Sequence, residues 1–329
     1  MKVLVTGASG FLGGALARRA AADGHAVRGF VRDARRWSDP PPAAEIVVGD
    51  LSDPGALVRA AEGCDAVLHA AALVKMWVRD RREFDRVNVQ GLGHVAAAAR
   101  AAGARLVYVS SFLALGPSDG TVLDEQSRRS DAAFRNDYER TKWVGDQLAR
   151  HLATTGLDVV RLYPGVAYGP GALSAGNHVV GMLLQHARGK LPGILGAGDL
   201  RLCLAFVDDV SAGAMRALER AAPGSAYILG GENRTVRELF EAFHAASGIA
   251  PPRRKIPFVL AGLVGRLQRW RARLLGIEPE LTDEVVQIYR HEWAYSSARA
   301  ERELGYQITP LVEGVRRTVA WLRESRRLT

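Results

Sequence analysis

The chain of 329 residues has very few cysteines and no long apolar segment. Cys64 and Cys203 are too few for a disulfide framework and match no metal-ligand spacing, so we expect a reducing compartment and no metal site. The apolar stretch that follows Lys2 is only a few residues long, too short for a signal-peptide core or a membrane-spanning helix. These features predict a cytoplasmic protein with no integral membrane segment.

Lysine is also scarce, since only five of the 44 basic residues are lysine. The net charge is +9, but no basic run is interleaved with aromatic residues, so we interpret the arginines as a solvated surface and expect no nucleic-acid partner. A basic surface still favours anionic ligands. With 48% hydrophobic and 24% charged residues, the composition is that of an ordinary globular protein of about two domains.

The first half of the chain alternates short β-branched runs with longer helical patterns, which is typical of a parallel sheet with crossover helices. Beyond residue 165 the pattern becomes irregular and rich in glycine and proline, which predicts a smaller second lobe. We therefore expect an α/β fold with residues 1–165 and about 202–228 in the sheet domain, and 166–201 and 229–329 in a C-terminal substrate lobe. The predicted strands of the first half are Lys2 to Thr6, Ala26 to Val31, Glu45 to Val48, Ala66 to His69, Leu106 to Ser110 and Val159 to Leu162.

A glycine-rich turn, TGASGFLG, follows the first predicted strand and leads into a helix. Gly7 permits the tight turn, Gly10 lets the backbone approach a pyrophosphate, and Gly13 lets the helix pack closely on the strand. The diphosphate would lie at the helix N-terminus, against the backbone of Phe11 and Leu12. This order of strand, turn and helix predicts a dinucleotide site in a Rossmann doubly wound sheet.

The end of the second strand predicts which dinucleotide binds. Arg32, with Arg35 and Arg36 nearby, suits the 2′-phosphate of NADP(H), which we favour. Asp33 lies about twenty residues past the glycine turn, where a carboxylate would bind the ribose of NAD(H), so NAD(H) stays an alternative.

The third strand is followed by GDLSD, which offers two groups to the adenine ring. The Asp50 carboxylate can meet the adenine amino group, and the Leu51 side chain can cover the ring face. Ser52 and Asp53 are explained by a simple turn with a helix cap.

The candidate catalytic residues follow the fifth strand, which delivers Ser110 and Ser111 to the carboxyl edge of the sheet. Twenty-seven residues past Ser111, Tyr138 and Lys142 are four residues apart, so a helix places them on one face. A tyrosine with an ordinary pKa of about 10 is a poor acid or base at neutral pH, whereas an adjacent ammonium favours the phenolate. The pattern predicts a tuned proton donor.

Together these features resemble an extended short-chain dehydrogenase/reductase, in particular the dihydroflavonol reductase-like branch and plant-type farnesol dehydrogenases. The resemblance implies that Ser111 orients a carbonyl, Tyr138 exchanges its proton, and Lys142 binds the nicotinamide ribose. It further implies a cofactor lining of Ala70, Ala71 and Ala72, an Asn88 that braces the active-site strand, and a nicotinamide cover of Pro164, Gly165 and Val166. The matching segments are TGASGFLG, GDLSD, HAAA, NVQGLGHV, VSS, YERTK, LYPGVAYGPG and FVDDV.

The substrate pocket is predicted from loops that follow the strands. Their mostly apolar character suggests a hydrophobic alcohol, aldehyde or ketone, such as a prenyl alcohol or a flavonoid-like carbonyl. The candidate residues are Met76, Trp77, Leu113, Tyr163, Tyr168 and His178. Family analogy also suggests a homodimer.

Two alternatives remain open. Nucleotide-sugar epimerases and dehydratases resemble this chain too, but they commonly carry an arginine in the strand before the Asp-Asp turn. Here that strand is LCLAFVDDV, and Arg201 is one position off, which would point it to the opposite face. A non-catalytic dinucleotide sensor is the second alternative, against which the intact serine, tyrosine and lysine set argues.

The segment 256–276 is amphipathic and basic. It carries apolar residues at helical spacing, with four arginines between them. We expect a helix of the substrate lobe that packs on the core or guards the pocket; contact with a membrane surface is the alternative. The apolar positions are Leu260, Val264, Leu267 and Leu274, and the arginines are Arg266, Arg269, Arg271 and Arg273.

Overall fold

The computed structural model describes residues 1–75, 77–127, 129 and 133–328. The strands are β1 (Lys2–Thr6), β2 (Ala26–Val31), β3 (Glu45–Val48), β4 (Ala66–His69), β5 (Arg105–Val109), β6 (Val159–Pro164), β7 (Val166–Tyr168), β8 (Ile194–Leu195), β9 (Arg201–Phe206), β10 (Ala226–Leu229), β11 (Glu232–Thr235) and β12 (Lys255–Ile256). The helices are α1 (Phe11–Ala22), α2 (Pro54–Ala61), α3 (Arg82–Asp85), α4 (Gly91–Ala102), α5 (Asp137–Thr154), α6 (His178–Ala187), α7 (Val207–Arg220), α8 (Val236–Ser247), α9 (Phe258–Leu275), α10 (Asp283–Ile288), α11 (Ala298–Leu304) and α12 (Leu311–Glu324).

A seven-stranded sheet forms the centre of the molecule, in the order β3-β2-β1-β4-β5-β6-β10. Each neighbouring pair of these strands runs parallel. The chain order reverses between β1 and β4, and at such a reversal the carboxyl ends of the strands leave a crevice in which ligands bind. The predicted Rossmann doubly wound sheet is confirmed.

Strand β1 shows how the sheet separates two helical layers, because its side chains alternate between the faces. Val3 and Val5 pack with Leu16 of α1 and with α7 on one face. Leu4 packs with Leu57 of α2 and with α4 on the other. Both layers are buried, so the strand is apolar at every one of these positions, as expected of a parallel sheet covered on two sides.

Local capping fixes where helices begin and end. Thr235 and Glu238 form a capping box: the Thr235 hydroxyl accepts from the Glu238 backbone N–H at 3.1 Å, and the Glu238 carboxylate accepts from the Thr235 N–H at 2.7 Å. Gly103 ends α4 in the left-handed conformation, with φ of +65°, which a side chain with a Cβ disfavours.

A three-stranded sheet, β11-β9-β7, and the short pair β8 and β12 lie outside the central sheet. The core beside the three-stranded sheet joins α6, α8 and α12 through buried residues such as Leu183, Phe240 and Val315. Strand β10 lies at the edge of the central sheet, whereas β9 pairs with β7 and β11. The proposed division at residues 165, 202 and 228 stays a prediction.

Helix α9 does not pack its large apolar residues on the core, so that part of the prediction is wrong. Leu260, Leu267 and Leu274 are 50%, 58% and 61% exposed. Only small residues of the helix, Ala261 and Ala272 among them, are buried. Among the described residues, none of the helices combines the length and the apolar character needed to cross a bilayer.

Candidate active site

The carboxyl end of β5 positions Ser111. This residue caps a single 3₁₀ turn, Phe112–Leu115, and its side-chain oxygen accepts a hydrogen bond from the Leu113 N–H at 3.2 Å. With that lone pair engaged, the Ser111 hydroxyl hydrogen remains available as a donor. The neighbouring Ser110 hydroxyl lies beside the buried Tyr108 phenol instead. Ser111 as the catalytic serine stays a prediction.

Helix α5 brings Tyr138 and Lys142 to the same edge. Asn136 caps the helix, its side chain accepting from the Glu139 N–H at 2.8 Å. Lys142 is 4% exposed, and its Nζ donates to the carbonyl oxygen of Val109 at 3.0 Å. The same Nζ lies 5.8 Å from the centre of the Tyr138 ring. The structure thus brings Ser111, Tyr138 and Lys142 together at the end of β5.

Burial shifts both titrating groups toward their neutral forms. Burial raises the pKa of Tyr138, and the hydrogen bond with Ser111 lowers it in part. Burial lowers the pKa of Lys142 to about 7. A further positive charge at this site would favour the Tyr138 phenolate, because opposite charges stabilise each other in a region of low dielectric.

Asn88 connects the segments around the pair. It lies in a π-helical turn, Arg86–Gln90, between α3 and α4, a distortion that is frequent at functional sites. Its Oδ1 accepts from the Leu73 N–H at 2.7 Å, and its Nδ2 donates to Thr141 Oγ1 at 3.0 Å. Asn88 therefore holds the loop after β4 and helix α5, which corrects the expectation that it braces the strand itself.

A buried aromatic stack supports Lys142 from the side of the sheet. The Lys142 Nζ lies 5.4 Å from the centre of the Tyr108 ring, and that ring stacks on His69 at 5.9 Å. Burial, and then the charge of Lys142, lower the pKa of His69 to about 3. His69 is therefore neutral, and its Nδ1 hydrogen-bonds Thr6 Oγ1 at 2.7 Å. Sequence reasoning missed these residues, although the histidine of the HAAA segment was their signal.

Glu139 is a second residue that sequence reasoning missed. Its carboxylate is fully buried and accepts from Arg129 Nη2 at 2.6 Å and from Arg135 Nη1 at 2.9 Å. It also accepts from the Arg135 backbone N–H at 2.7 Å. The residue next to Tyr138 thereby fastens Arg129 and Arg135, which precede α5, to the first turn of that helix.

The glycine-rich turn fits a dinucleotide. A Cβ on Gly7 would lie 2.7 Å from the Cα of Ala71, and one on Gly13 would lie 2.1 Å from the Gly7 carbonyl oxygen, so neither position tolerates a side chain. Gly10 caps α1 without a side-chain hydrogen bond. The first backbone N–H groups of α1, including those of Phe11 and Leu12, therefore point at an open helix end, the usual position of a diphosphate.

The ends of β2 and β3 place Arg32 near Asp50. Both residues are exposed, and the charge of Arg32 contributes to a lowered Asp50 pKa, whose largest cause is the hydrogen bond with Ser52. Asp33 is engaged by Arg35, which donates to both of its carboxylate oxygens at 3.0 and 3.1 Å. The hydrogen bond with Arg35 lowers the pKa of Asp33. Both oxygens of the Asp33 carboxylate thus accept hydrogen bonds from Arg35, whereas an NAD-binding carboxylate would accept them from a ribose.

The remaining cofactor candidates lie at the carboxyl edge of the sheet. Leu51 is buried beside α4, and its carbonyl oxygen hydrogen-bonds His94 Nδ1 at 2.7 Å. Ala70 and Ala71 are held by Thr6, whose carbonyl and hydroxyl oxygens accept from their N–H groups, each at 3.3 Å. Half-buried Ala72 follows them, and buried Pro164, Gly165 and Val166 connect β6 to β7.

Four of the six substrate candidates lie in different parts of the chain. Met76 lies outside the described residues. Trp77 is half-buried in the loop that follows β4, and Leu113 is buried next to Ser111. His178 is exposed at the first residue of α6.

Tyr163 and Tyr168 are corrections, because both are completely buried. The Tyr163 hydroxyl donates to Asp146 Oδ1 at 2.6 Å and accepts from Arg161 Nη1 at 2.8 Å, so it belongs to an internal network. The Tyr168 ring packs on Phe206 at 5.8 Å. Neither side chain is open to a ligand, so neither residue belongs to the candidate pocket.

The strand before the Asp-Asp turn carries no free arginine toward the pocket. Arg201 makes a two-pronged ion pair with Glu292, at 2.9 and 3.0 Å. The next residue, Leu202, lines a pocket with Leu195, Phe258 and Tyr289. Leu202 and Leu113 belong to one apolar cluster, against which Tyr138 and Tyr289 also pack. The candidate catalytic residues thus border a buried apolar cluster, whereas the small pocket beside Leu202 is also lined by Asp199 and His291.

Comparison with known proteins gives the family. Residues 3–230 match the model of the NAD dependent epimerase/dehydratase family. A 2-alkyl-3-oxoalkanoate reductase of Stenotrophomonas maltophilia is 33% identical, with 97% of this chain and 99% of that protein covered. A putative dihydroflavonol 4-reductase of Synechocystis sp. is 29% identical, with 97% and 94% covered.

A solved structure shows the same fold over the full length. The crystal structure of gox2253 has a TM-score of 0.82 and 34% identity, and the match covers 100% of this chain and 99% of that one. The predicted resemblance to extended short-chain dehydrogenase/reductases and their dihydroflavonol reductase-like branch is confirmed, while the farnesol-specific part stays a prediction. The chain belongs to the NAD dependent epimerase/dehydratase family.

Proposed function

We propose that this protein is an NADP-preferring oxidoreductase that transfers hydride between the nicotinamide and a hydrophobic ketone, aldehyde or alcohol. The observation that carries the proposal is the position of Ser111, Tyr138 and Lys142 at the margin of an apolar cluster that continues to Leu202 and Tyr289. The acid–base groups supply the chemistry, and the apolar lining selects the substrate.

The residues of the site have distinct tasks in this proposal. The bound nicotinamide would supply or accept the hydride at the carbon that bears the substrate oxygen. In the reductive direction Tyr138 gives its hydroxyl proton to that oxygen, and in the oxidative direction it takes the proton back. Ser111 holds the oxygen by donating its hydroxyl hydrogen, which without substrate is directed to Tyr138. Lys142, fixed by the Val109 carbonyl oxygen, stabilises the Tyr138 phenolate that proton transfer produces.

The cofactor preference rests on the end of β2. Exposed Arg32 is suited to a 2′-phosphate. The Arg35 guanidinium holds the Asp33 carboxylate, which leaves that carboxylate a poor acceptor for the 2′-hydroxyl of NAD. NADP(H) is therefore the proposed cofactor and NAD(H) the weaker one.

The substrate class rests on the apolar lining. Leu113 and Leu202 belong to the apolar cluster at the candidate catalytic residues, against which an alkyl or polycyclic group would bury apolar surface, and Asp199 near Leu202 would repel a phosphate. The names of two relatives fit this class, since one is a 2-alkyl-3-oxoalkanoate reductase and the other a putative dihydroflavonol 4-reductase. A long-chain or polycyclic ketone is the substrate we favour.

Sugar-nucleotide epimerisation is the competing function, favoured by the description of the family. It requires cationic or polar groups for the diphosphate. Arg201 is ion-paired with Glu292 instead, so its charge is already neutralised and the site is less suited to a diphosphate. The predicted homodimer and cytoplasmic location are not needed for either function and stay predictions.

A substrate panel separates the two functions. Purified protein is incubated with NADPH or NADH and with 2-alkyl-3-oxoalkanoates, flavonoid ketones, prenyl aldehydes, or UDP-glucose. Consumption of NADPH with an apolar carbonyl supports the proposal. Conversion of UDP-glucose to UDP-galactose with no net change in nicotinamide would refute it, as would a clear preference for short polar ketones.

A further inference from the structure

Helix α9 contacts the rest of the protein through one narrow face. Ala261, Gly265 and Ala272 are its buried residues. A Cβ on Gly265 would lie 2.4 Å from the backbone nitrogen of Asp283, so α10 approaches this face closely. Arg269 fastens the contact by ion pairs with Asp283 at 3.0 Å and with Glu284 at 2.8 Å. The orientation of the helix is therefore fixed by small side chains and a salt link.

The opposite face of α9 is apolar and exposed. At 3.6 residues per turn, positions 259, 263, 267, 270 and 274 fall on the side turned away from the small residues. Exposed apolar residues in such a continuous group mark an interaction surface. The exposed residues of this apolar face are Val259 (77%), Leu260 (50%), Leu263 (57%), Leu267 (58%), Trp270 (60%) and Leu274 (61%).

The charged residues of α9 and of the segment just before it are all basic. Residues 253–277 contain seven basic residues and no acidic one. On the helix, Arg266 and Arg273 border one side of the apolar face and Arg271 borders the other, and all three are exposed. A tryptophan and leucines on one face with arginines along its borders is the pattern of a helix that lies in a membrane interface.

The charge decides between two occupants of this face. A second copy of the chain, joined by a two-fold axis, would set the basic segment 253–277 against its own like charge, which disfavours association. A surface of anionic lipid head groups instead neutralises the arginines while its acyl chains bury the leucines. We propose that α9 docks this protein on anionic membranes.

The helix that carries the docking face begins beside a small pocket. Phe258, the first residue of α9, lines that pocket together with Leu202 and Tyr289. Phe258 lies on the packed side of the helix with Ala261 and Gly265, so the docking depends neither on this pocket nor on the proposed function.

Vesicle sedimentation tests the docking. The full chain is mixed with phosphatidylcholine vesicles that either contain or lack phosphatidylglycerol. We expect binding to the anionic vesicles, weakening as salt is raised, and little binding to the neutral ones. The double variant Leu263→Glu/Leu267→Glu should lower the partition coefficient by at least about tenfold, because its new charges oppose insertion. Val312→Glu alters a residue of α12 that is 62% exposed, and should bind as the wild type does.

Trp270 gives a second readout. Its fluorescence should be quenched by lipids brominated in the acyl chain, and Trp270→Phe should remove that component while sedimentation persists. Absence of binding to anionic vesicles would overturn the proposal, as would equal loss in the Leu263→Glu/Leu267→Glu and Val312→Glu proteins. A dimer that forms without lipid and is abolished by Leu267→Glu would show that a second copy covers the face. A protein that binds the vesicles but reduces no apolar carbonyl would refute only the proposed function.

Discussion

Replacing Lys142 by methionine should stabilise the cofactor-free protein while abolishing its activity. The lysine is 4% exposed, and burial lowers its pKa from the ordinary 10.5 to about 7. Between these values the unfolded chain binds a proton that the folded protein does not, so the free energy of unfolding of the wild type rises with pH in this window. A methionine of similar volume has no such dependence.

The magnitude follows from the pKa displacement. One pKa unit corresponds to about 1.4 kcal/mol, so the displacement from 10.5 to about 7 costs the folded protein about 5 kcal/mol at neutral pH. The substitution also removes the hydrogen bond to the Val109 carbonyl oxygen, which lowers the expected stabilisation by about 1 kcal/mol. With the context dependence of such values, Lys142→Met should raise the free energy of unfolding by about 3 kcal/mol at about pH 7. Near pH 9.5 the gain should be close to zero, because only about one pKa unit of the penalty remains.

Urea unfolding of both proteins at the two pH values measures this difference. The control is Lys190→Met, which alters an exposed lysine and should follow the wild type. A gain from Lys142→Met that is the same at both pH values, or a loss at neutral pH, would refute the reasoning that burial makes this lysine costly in the absence of cofactor.

Three further variants, two of them with a comparison variant, test the surroundings of the site. Asn88→Ala removes hydrogen bonds to the loop after β4 and to Thr141, and should lower the free energy of unfolding by about 2 kcal/mol in urea melts, with Thr141→Val costing less; equal stability would remove the bracing role. Gly13→Ala should abolish nucleotide binding in calorimetry, because its Cβ would lie 2.1 Å from a carbonyl oxygen, whereas Gly93→Ala meets nothing within 4 Å and should stabilise by about 0.5 kcal/mol. Arg32→Ala should weaken NADP(H) at least about tenfold and spare NAD(H); equal losses for both would contradict the 2′-phosphate assignment.

The central sheet was predictable because its signals are local. Strands of β-branched residues, a helix cap such as Thr235, and the glycine after α4 each follow from nearest-neighbour chemistry. Boundaries moved by a residue or two where pairing extended a strand: β6 continues to Pro164 because β10 pairs beside it. Strand β10 reaches the edge of the sheet by pairing with β6, which is distant in sequence, and no local pattern predicts that pairing.

The candidate site was predictable where spacing fixes geometry and failed where orientation depends on packing. A separation of four residues in a helix was sufficient for Tyr138 and Lys142. Periodicity could not tell whether Tyr163 turns toward the pocket or toward Asp146, which hydrogen-bonds it. Periodicity likewise identified the apolar face of α9 but not what that face contacts, because the small residues that set the helix orientation carry little hydrophobic signal.

The most direct test follows deuterium from the nicotinamide into product. NADPH deuterated at C4 is incubated with a hydrophobic ketone, and mass spectrometry locates the label in the alcohol. The account predicts label on the carbinol carbon with the wild type, and a loss of turnover of at least about a hundredfold with Tyr138→Phe, which should still bind NADPH. Undiminished transfer in Tyr138→Phe, or unlabelled alcohol formed by the wild type, would contradict it.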